Sequence, residues 1–498
     1  MQDKKYKIIF IGAGSFRFTI PCILNIMDFA SEYYPIDLWL VDIDINSLML
    51  VDTIAKQMIS LHERDITVSS TTNRRVALSN ADFILISISI GIQKSEWFDI
   101  FLPLKFGIPQ NTGDTVGPGG IFRGIRTIPV MIQIMRDINE LCPEATVLNY
   151  TNPQSTIMLS AFQTAPKIQS IGLCHELFHI GSKKFARFLK KCGLDLSDKQ
   201  KLKILYGGLN HFSWIIKFEQ NGNDLYPKLR ENAEYAYRTG KYGRPFNYYL
   251  LKKFGYYCYV EDRHVAEFIP QYYNYFNHLQ KPFGITKLRD VSRVNLERKL
   301  VYSGYKLLEK RTSNWIIKLF LRPWEGGEKA LMMAKDQEKD IPRHHVCNVI
   351  NKGIISNLPD NCIVEIPCYF KDKLIHPVKI GALPNSINKD IKIHALNQQK
   401  IVDSAICGDP DSLLKALLAD PMCQFIEDEE KVEALMWNML YYERKWLPLF
   451  SESIPTYRDL LKLNYFVKKE ELISYKHARK TKYVPNELHQ AKSWPYVS

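Results

Sequence analysis

A short apolar run that stops at two glycines constrains this chain more than any other feature. Residues 6–11 (YKIIFI) are rich in β-branched and apolar side chains. They end in Gly12-Ala-Gly14-Ser15, ahead of a helical pattern over 18–32. A strand that turns through glycine into a helix brings backbone N–H groups and a positive helix end to one point, a setting suited to a pyrophosphate. Arg17 stands where the full glycine fingerprint has its third glycine, so the pattern is incomplete. DLWLVDID at 37–44 reads as a second strand. Asp42 at its end is placed to accept hydrogen bonds from a ribose diol, which favours NAD over NADP. An ordinary strand turn is the alternative for the glycines taken alone.

Three further apolar runs extend the pattern: ADFILISISIG (81–91), ATVLNYTNP (145–153) and KIQSIGLCHE (167–176). Uninterrupted apolar strands that alternate with helices predict a mostly parallel, doubly wound α/β sheet covered on both faces. Ligands of such sheets sit beyond the carboxyl ends of the strands, and the polar clusters named so far lie at those ends. The strand–helix rhythm weakens after about residue 195. KLKILYGGLNHFSWIIKF (201–218) reads as strands around a Gly-rich turn, and NCIVEIPCYF (361–370) as an extended segment. The organisation expected is a Rossmann-like nucleotide domain over 1–195, an α+β domain over 196–444 that covers it, and a basic extension over 445–498.

The formal net charge of +13 raises the question of nucleic acid. The lysines form no dense stripe and accompany no groove-reading motif, so no nucleic-acid partner is expected; a basic surface also attracts small anionic substrates. No run approaches the ~20 apolar residues of a membrane helix, so no membrane partner is expected. The first residues read as a strand and not as a signal peptide. The ten cysteines are scattered singly, without the spacing of a disulfide framework or a zinc finger, which points to a reducing, cytoplasmic setting.

Three clusters carry chemistry. Cys174-His175-Glu176 ends a strand, and Asn210-His211 lies in a turn. A thiolate and an imidazole can hold a divalent metal between them; a buried thiol and a hydrogen-bonded histidine are the plainer alternative. Gly113-Asp114-Thr115-Val116-Gly117-Pro118-Gly119-Gly120 reads as a loop over a substrate, followed by a helix carrying Arg123 and Arg126. Tyr259-Val260-Glu261-Asp262-Arg263-His264 reads as a solvated turn or as the seat of a general base.

Taken together, these segments resemble glycoside hydrolase family 4. The resemblance spans about residues 6–440. It is carried by GAGS (12–15), DTVGPGGIFRGIRTIP (114–129), NYTNP (149–153), CHE (174–176), GLNHF (208–212), DRHVAEFIP (262–270) and NLPDNCIVEIPCY (357–369). It implies a nucleotide domain like that of lactate and malate dehydrogenases, and a dependence on NAD, on Mn2+ or another divalent metal, and on reducing conditions. The family stands apart from hydrolysis by paired carboxylates. The implied route is hydride transfer from C3 of the sugar to NAD, metal-assisted loss of the C2 proton, elimination of the aglycone, addition of water and return of the hydride.

Matched motif by motif, the resemblance makes Cys174 and His211 the metal ligands. Gly12, Gly14, Ser15, Asp42 and Asn152 become the cofactor-binding set, and Asn149 a substrate contact. Asp262 becomes the base, with His175 or Asp114 assisting the leaving group. Cys-His-Glu at 174–176 is similar to the branch acting on unphosphorylated α-glycosides, and the fuller pattern to the α-galacturonidase type. Arg123 and Arg263 are the guanidinium groups expected to meet a uronate carboxylate. The expected partner is a small glycoside, a uronide foremost, and the expected assembly a homodimer or homotetramer. The alternatives within the family are α-glucosidase, α-galactosidase and α-glucuronidase activities. Outside it stand an NAD-dependent dehydrogenase and an inactive nucleotide-binding regulator.

Overall fold

A computed structural model describes residues 5–32, 35–61, 65–110, 112–174, 183–194, 202–272, 343–423 and 428–471, together with 303, 333, 336, 337, 339, 341 and 426. Among the described residues twelve strands form one sheet: β1 Tyr6–Ile11, β2 Ile36–Val41, β3 Ile66–Thr71, β4 Phe83–Ile86, β5 Thr146–Asn149, β6 Ser170–Gly172, β7 Leu202–Leu209, β8 Phe212–Gln220, β9 Asn223–Asp224, β10 His345–Ile350, β11 Ile363–Lys371 and β12 Leu374–Pro377.

The first half runs β3-β2-β1-β4-β5-β6, every neighbour parallel. This is the dinucleotide-binding order, with its switch point between β1 and β4. Successive residues of β1 serve opposite faces: Ile8 and Phe10 enter one core cluster, Ile9 and Ile11 the other. Strands covered on both sides must be apolar throughout, which is why YKIIFI and FILI carry no polar alternation. β3 (ITVSST) escapes that reading because it is a half-buried edge strand with polar side chains.

The sheet does not stop at β6. Asn348 of β10 pairs antiparallel with Gly172, β11 pairs with β10, and Glu365 of β11 pairs with Gly208 of β7. The segment after residue 195 therefore extends the nucleotide sheet sideways. Asn348 Nδ2 stitches the join, donating to the Gly172 carbonyl and to the Glu365 carboxylate, both at 3.3 Å.

Two Gly-rich segments differ from the sequence reading. The β7–β8 hairpin turns at Asn210-His211, where a turn was expected, with His211 at φ +63°, but Gly207 and Gly208 lie inside β7. Residues 117–120 are not loop. They open a 25-residue helix, Gly117–Leu141, with Pro118 in its first turn, a position proline favours. A Cβ on Gly119 would stand 2.5 Å from the Asp99 carbonyl oxygen, so glycine there lets the helix lie directly on its neighbour.

Arg126 of this helix is fully buried, binding Asp99 (2.8 and 2.5 Å) and Glu443 (2.7 Å) and donating to the Ile90 carbonyl at 3.2 Å. Residues 445–471 fold back as short helical turns, and Leu447, Phe450, Leu460 and Val467 are buried. None of the ten cysteines is in a disulfide. Among the described residues no helix is long and apolar enough to cross a membrane.

Candidate active site

Both the β1 turn and the crevice beside it lie beyond the carboxyl ends of the parallel strands. Gly12 has φ +91°, and a Cβ there would fall 2.0 Å from the Ser87 carbonyl oxygen, so only glycine closes the turn. Asp42 braces it from β2. Its carboxylate accepts the Gly14 N–H at 2.7 Å and the Asp44 N–H at 2.9 Å. Ser15 begins the helical turn, its carbonyl accepting from Phe18 and Thr19 N–H groups. The first-turn N–H groups of the helix Phe16–Glu32 open toward this point.

The β5 exit forms the next wall. Asn149 is buried, and its side chain binds Thr151 through both backbone groups and Gln154 Oε1 at 2.6 Å. That geometry makes Asn149 a brace for the turn that presents Asn152. The Asn152 carbonyl accepts from Arg123 Nε at 3.3 Å. Thr151 Oγ1 accepts the Ile88 N–H at 3.1 Å, tying the ends of β4 and β5 together.

Beyond β6 the residues with ligand chemistry converge. Cys174 Sγ lies 3.2 Å from His211 Nε2, and Thr115 Oγ1 lies 2.9 Å from His211 Nδ1. Thr115 also donates to Asp114 Oδ1 at 2.8 Å. The His264 ring lies over His211 with centroids 4.1 Å apart, and His264 Nδ1 is 3.9 Å from Asp114 Oδ1. Donors held roughly 2.0–2.3 Å from one metal stand about 3–3.6 Å from each other, so the Cys174–His211 separation fits a shared divalent ion. Asp114, His211 and His264 also bring donor atoms within 4.8 Å of one another. Both sets use His211. Thr115 engages Nδ1, so the Nε2 side facing Cys174 is the side of His211 that could meet a metal, with Asp114 and His264 bordering it.

Asp262 stands apart from this cluster. It opens the helix Asp262–Phe268 and accepts N–H groups of Phe246 (3.1 Å) and Asn247 (3.3 Å), at the start of the helix Pro245–Phe254. Its residue surface stays partly exposed while protein surrounds the carboxyl itself. Desolvation pushes that carboxyl up to about 7, against the two N–H bonds and the Arg244 guanidinium. Arg263, next in the chain, points outward, half exposed and paired with Glu261 at 2.6 Å. Arg123 is nearly buried, 3.6 Å from Glu96. His175 and Glu176 lie outside the described residues.

Two buried carboxyls that the sequence reading leaves without a role support the cluster. Glu267 accepts Thr112 N–H at 2.6 Å and Gly113 N–H at 3.3 Å, clamping the loop that carries Asp114 and Thr115. Burial pushes it up to about 8, and the nearby Asp114 adds to the rise. Glu365 receives Asn210 Nδ2 at 2.9 Å and the Tyr259 hydroxyl at 2.7 Å, anchoring the hairpin turn that carries His211; burial raises its carboxyl too. Glu267 sits in DRHVAEFIP and Glu365 in NCIVEIPCY, so a charged residue inside an apolar segment was the available signal.

The model of the family 4 glycosyl hydrolases matches residues 7–190, and that of the family's C-terminal domain matches residues 206–423. The chain is 31% identical over 447 residues to an alpha-galacturonidase of Thermoanaerobacter italicus, covering 85% of this chain and 90% of that one. It is 28% identical over 459 residues to an alpha-galactosidase of Bacillus subtilis, covering 89% and 99%. A 6-phospho-alpha-glucosidase from gut microorganisms, solved in complex with NAD and Mn2+, shares the fold at a TM-score of 0.73 and 19% identity, over 89% of this chain and 99% of that one. The chain belongs to the family 4 glycosyl hydrolases.

Proposed function

We propose that this chain hydrolyses unphosphorylated α-glycosides, α-galacturonides foremost, using NAD and a divalent metal such as Mn2+. The carrying observation is the 3.2 Å approach of Cys174 Sγ to His211 Nε2 beside a dinucleotide-type sheet. The likeness to an alpha-galacturonidase and to a fold solved with NAD and Mn2+ supports the choice. When bound, NAD supplies a hydride acceptor for sugar C3 and the metal a Lewis acid for the neighbouring oxygens.

The chain's own residues supply the rest. Gly12, Gly14, Ser15 and the helix they open receive the pyrophosphate, and Asp42 holds that turn in shape beside the ribose. Asn149 fixes the turn that offers Asn152 to the cofactor. Cys174 and His211 hold the metal. The motif resemblance makes Asp262 the base of this reading; its carboxyl, raised by burial to about 7, suits proton abstraction near neutrality, although the Phe246 and Asn247 N–H groups hold it apart from the Cys174–His211 cluster. Asp114, on the clamped loop, or His175 serves the leaving group. Arg123, which donates to the Asn152 carbonyl, and the half-exposed Arg263 are the guanidinium groups of this reading for a uronate carboxylate.

The test is a panel of α-galacturonides, α-galactosides and α-glucosides, assayed with NAD, Mn2+ and a thiol. Preferential turnover of the galacturonides supports the uronide assignment, and turnover of α-galactosides alone replaces it with the neutral sugar. Net NADH production without glycosidic cleavage would mark a dehydrogenase instead.

A further inference from the structure

We infer that Thr115 is a positioning residue that selects the tautomer of His211 and thereby presents its Nε2 lone pair to the metal. The inference rests on the reading that Cys174 and His211 are the metal ligands. A threonine hydroxyl has one hydrogen and two lone pairs, and a neutral imidazole has one N–H and one acceptor nitrogen. The Thr115 hydroxyl hydrogen goes to Asp114 Oδ1, 2.8 Å away. What it offers His211 Nδ1, at 2.9 Å, is therefore a lone pair. Nδ1 must carry the proton, and Nε2, 3.2 Å from Cys174 Sγ, is left unprotonated on the side where the Cys174 sulfur lies.

The chain has the form of an outer-shell relay, carboxylate to hydroxyl to imidazole, which fixes ring orientation as well as tautomer. Both ends are immobilised. Glu267 clamps Thr112 and Gly113 immediately before Asp114, and Asn210, tied to Glu365, holds the turn in which His211 takes φ +63°. Thr115 itself is buried, so no solvent hydroxyl substitutes readily for it. The sequence hides this role because Thr115 reads as one more residue of a glycine-rich loop.

The experiment titrates Mn2+ into the full-length chain by calorimetry, for the parent and for Thr115→Val, Thr115→Ala, Thr115→Ser and Cys174→Ser. NAD affinity and metal-free melting are followed on the same samples. Valine keeps the shape and removes the hydroxyl, and alanine provides a second hydroxyl-free variant should valine fail to fold. Loss of an outer-shell partner of a metal-binding histidine weakens metal by roughly 10–100-fold, so Val and Ala should lose that much Mn2+ affinity. Serine should regain most of it, with NAD affinity unchanged in all three. Parent-like Mn2+ binding in Thr115→Val or Thr115→Ala, alongside a loss in Cys174→Ser, would overturn the inference while sparing the metal site. A loss in serine equal to that in valine would overturn it too, as would a parallel loss of NAD affinity. Parent-like Mn2+ binding in Cys174→Ser would instead remove the metal-site reading beneath it.

Discussion

The two ends of the site are built from different materials. At the nucleotide end the working groups are backbone: a glycine turn, the first N–H groups of a helix, and one carboxylate, Asp42, that braces the turn. At the metal end they are side chains, Cys174, His211, Thr115, Asp114 and His264, drawn from a strand end, a hairpin turn, a loop and a helix. The first end is sensitive to an added Cβ and the second to a removed ligand atom. A backbone cradle can recognise phosphate without committing the enzyme to one sugar, whereas convergent side chains set the reaction.

The sharpest way to break this contrast is to remove one of the two proposed metal ligands. Cys174→Ala or His211→Ala should lower kcat by at least about 100-fold, since a metal Lewis acid supplies several kcal/mol of transition-state stabilisation. NAD affinity, measured by fluorescence titration, should stay near the parent value. Equal losses at both ends would mean that the two are not separately built.

Next comes the helix shared by both ends. Arg126→Ala strands Asp99 and Glu443 in the core, and loss of one partner of a buried ion cluster costs about 3–5 kcal/mol. Denaturant unfolding should show it. At the nucleotide end, Gly12→Ala drives a Cβ toward the Ser87 carbonyl at positive φ. It should cost about 1–3 kcal/mol of stability and most NAD affinity, while Mn2+ affinity holds.

The clamp under Asp114 can be read by pH. Glu267 is raised in the folded protein to about 8 from an ordinary value of 4.5. Above 4.5 the unfolded chain gives up this proton and the folded chain keeps it. Its contribution is thus fully present below 4.5, declines as pH rises, and is lost once pH passes about 8. The slope is at most one proton's worth, ~1.4 kcal/mol per pH unit. Glu267→Gln should flatten urea-derived stability over that window; an unchanged slope would assign the dependence to another group. The smallest effect is expected at the rim. Arg263→Ala breaks an exposed pair with Glu261, worth no more than about 1 kcal/mol of stability, and should raise KM for a uronide more than for a neutral glycoside.

What could be read from the chain before its structure divides along the same line. The glycine turn and the acidic strand end beside it were legible because strand, turn and strand follow one another in order; that Asp42 binds the Gly14 and Asp44 N–H groups was not. The parallel strands were legible from unbroken apolar runs, although β4 ends at Ile86, well before the apolar run ends at 91. The edge strand β3 was hidden by its polar side chains, and the start of the helix Gly117–Leu141 by glycines that serve close packing. The antiparallel join of β6 to β10 links residues 176 apart and leaves no local pattern. Cys174 and His211 were found through motif resemblance, but their partners were not. Asp262 drew attention in a charged run while His264, two residues on, faces the cluster; a helix places those two side chains on different sides.

The most direct test of the central claim is hydrolysis of an α-galacturonide by the full-length chain, with NAD, Mn2+ and thiol omitted one at a time and NADH absorbance followed throughout. Activity should collapse on omission of NAD or metal, and no net NADH should accumulate while product forms. Undiminished cleavage without NAD and metal, or NADH formed mole for mole with substrate consumed, would contradict it.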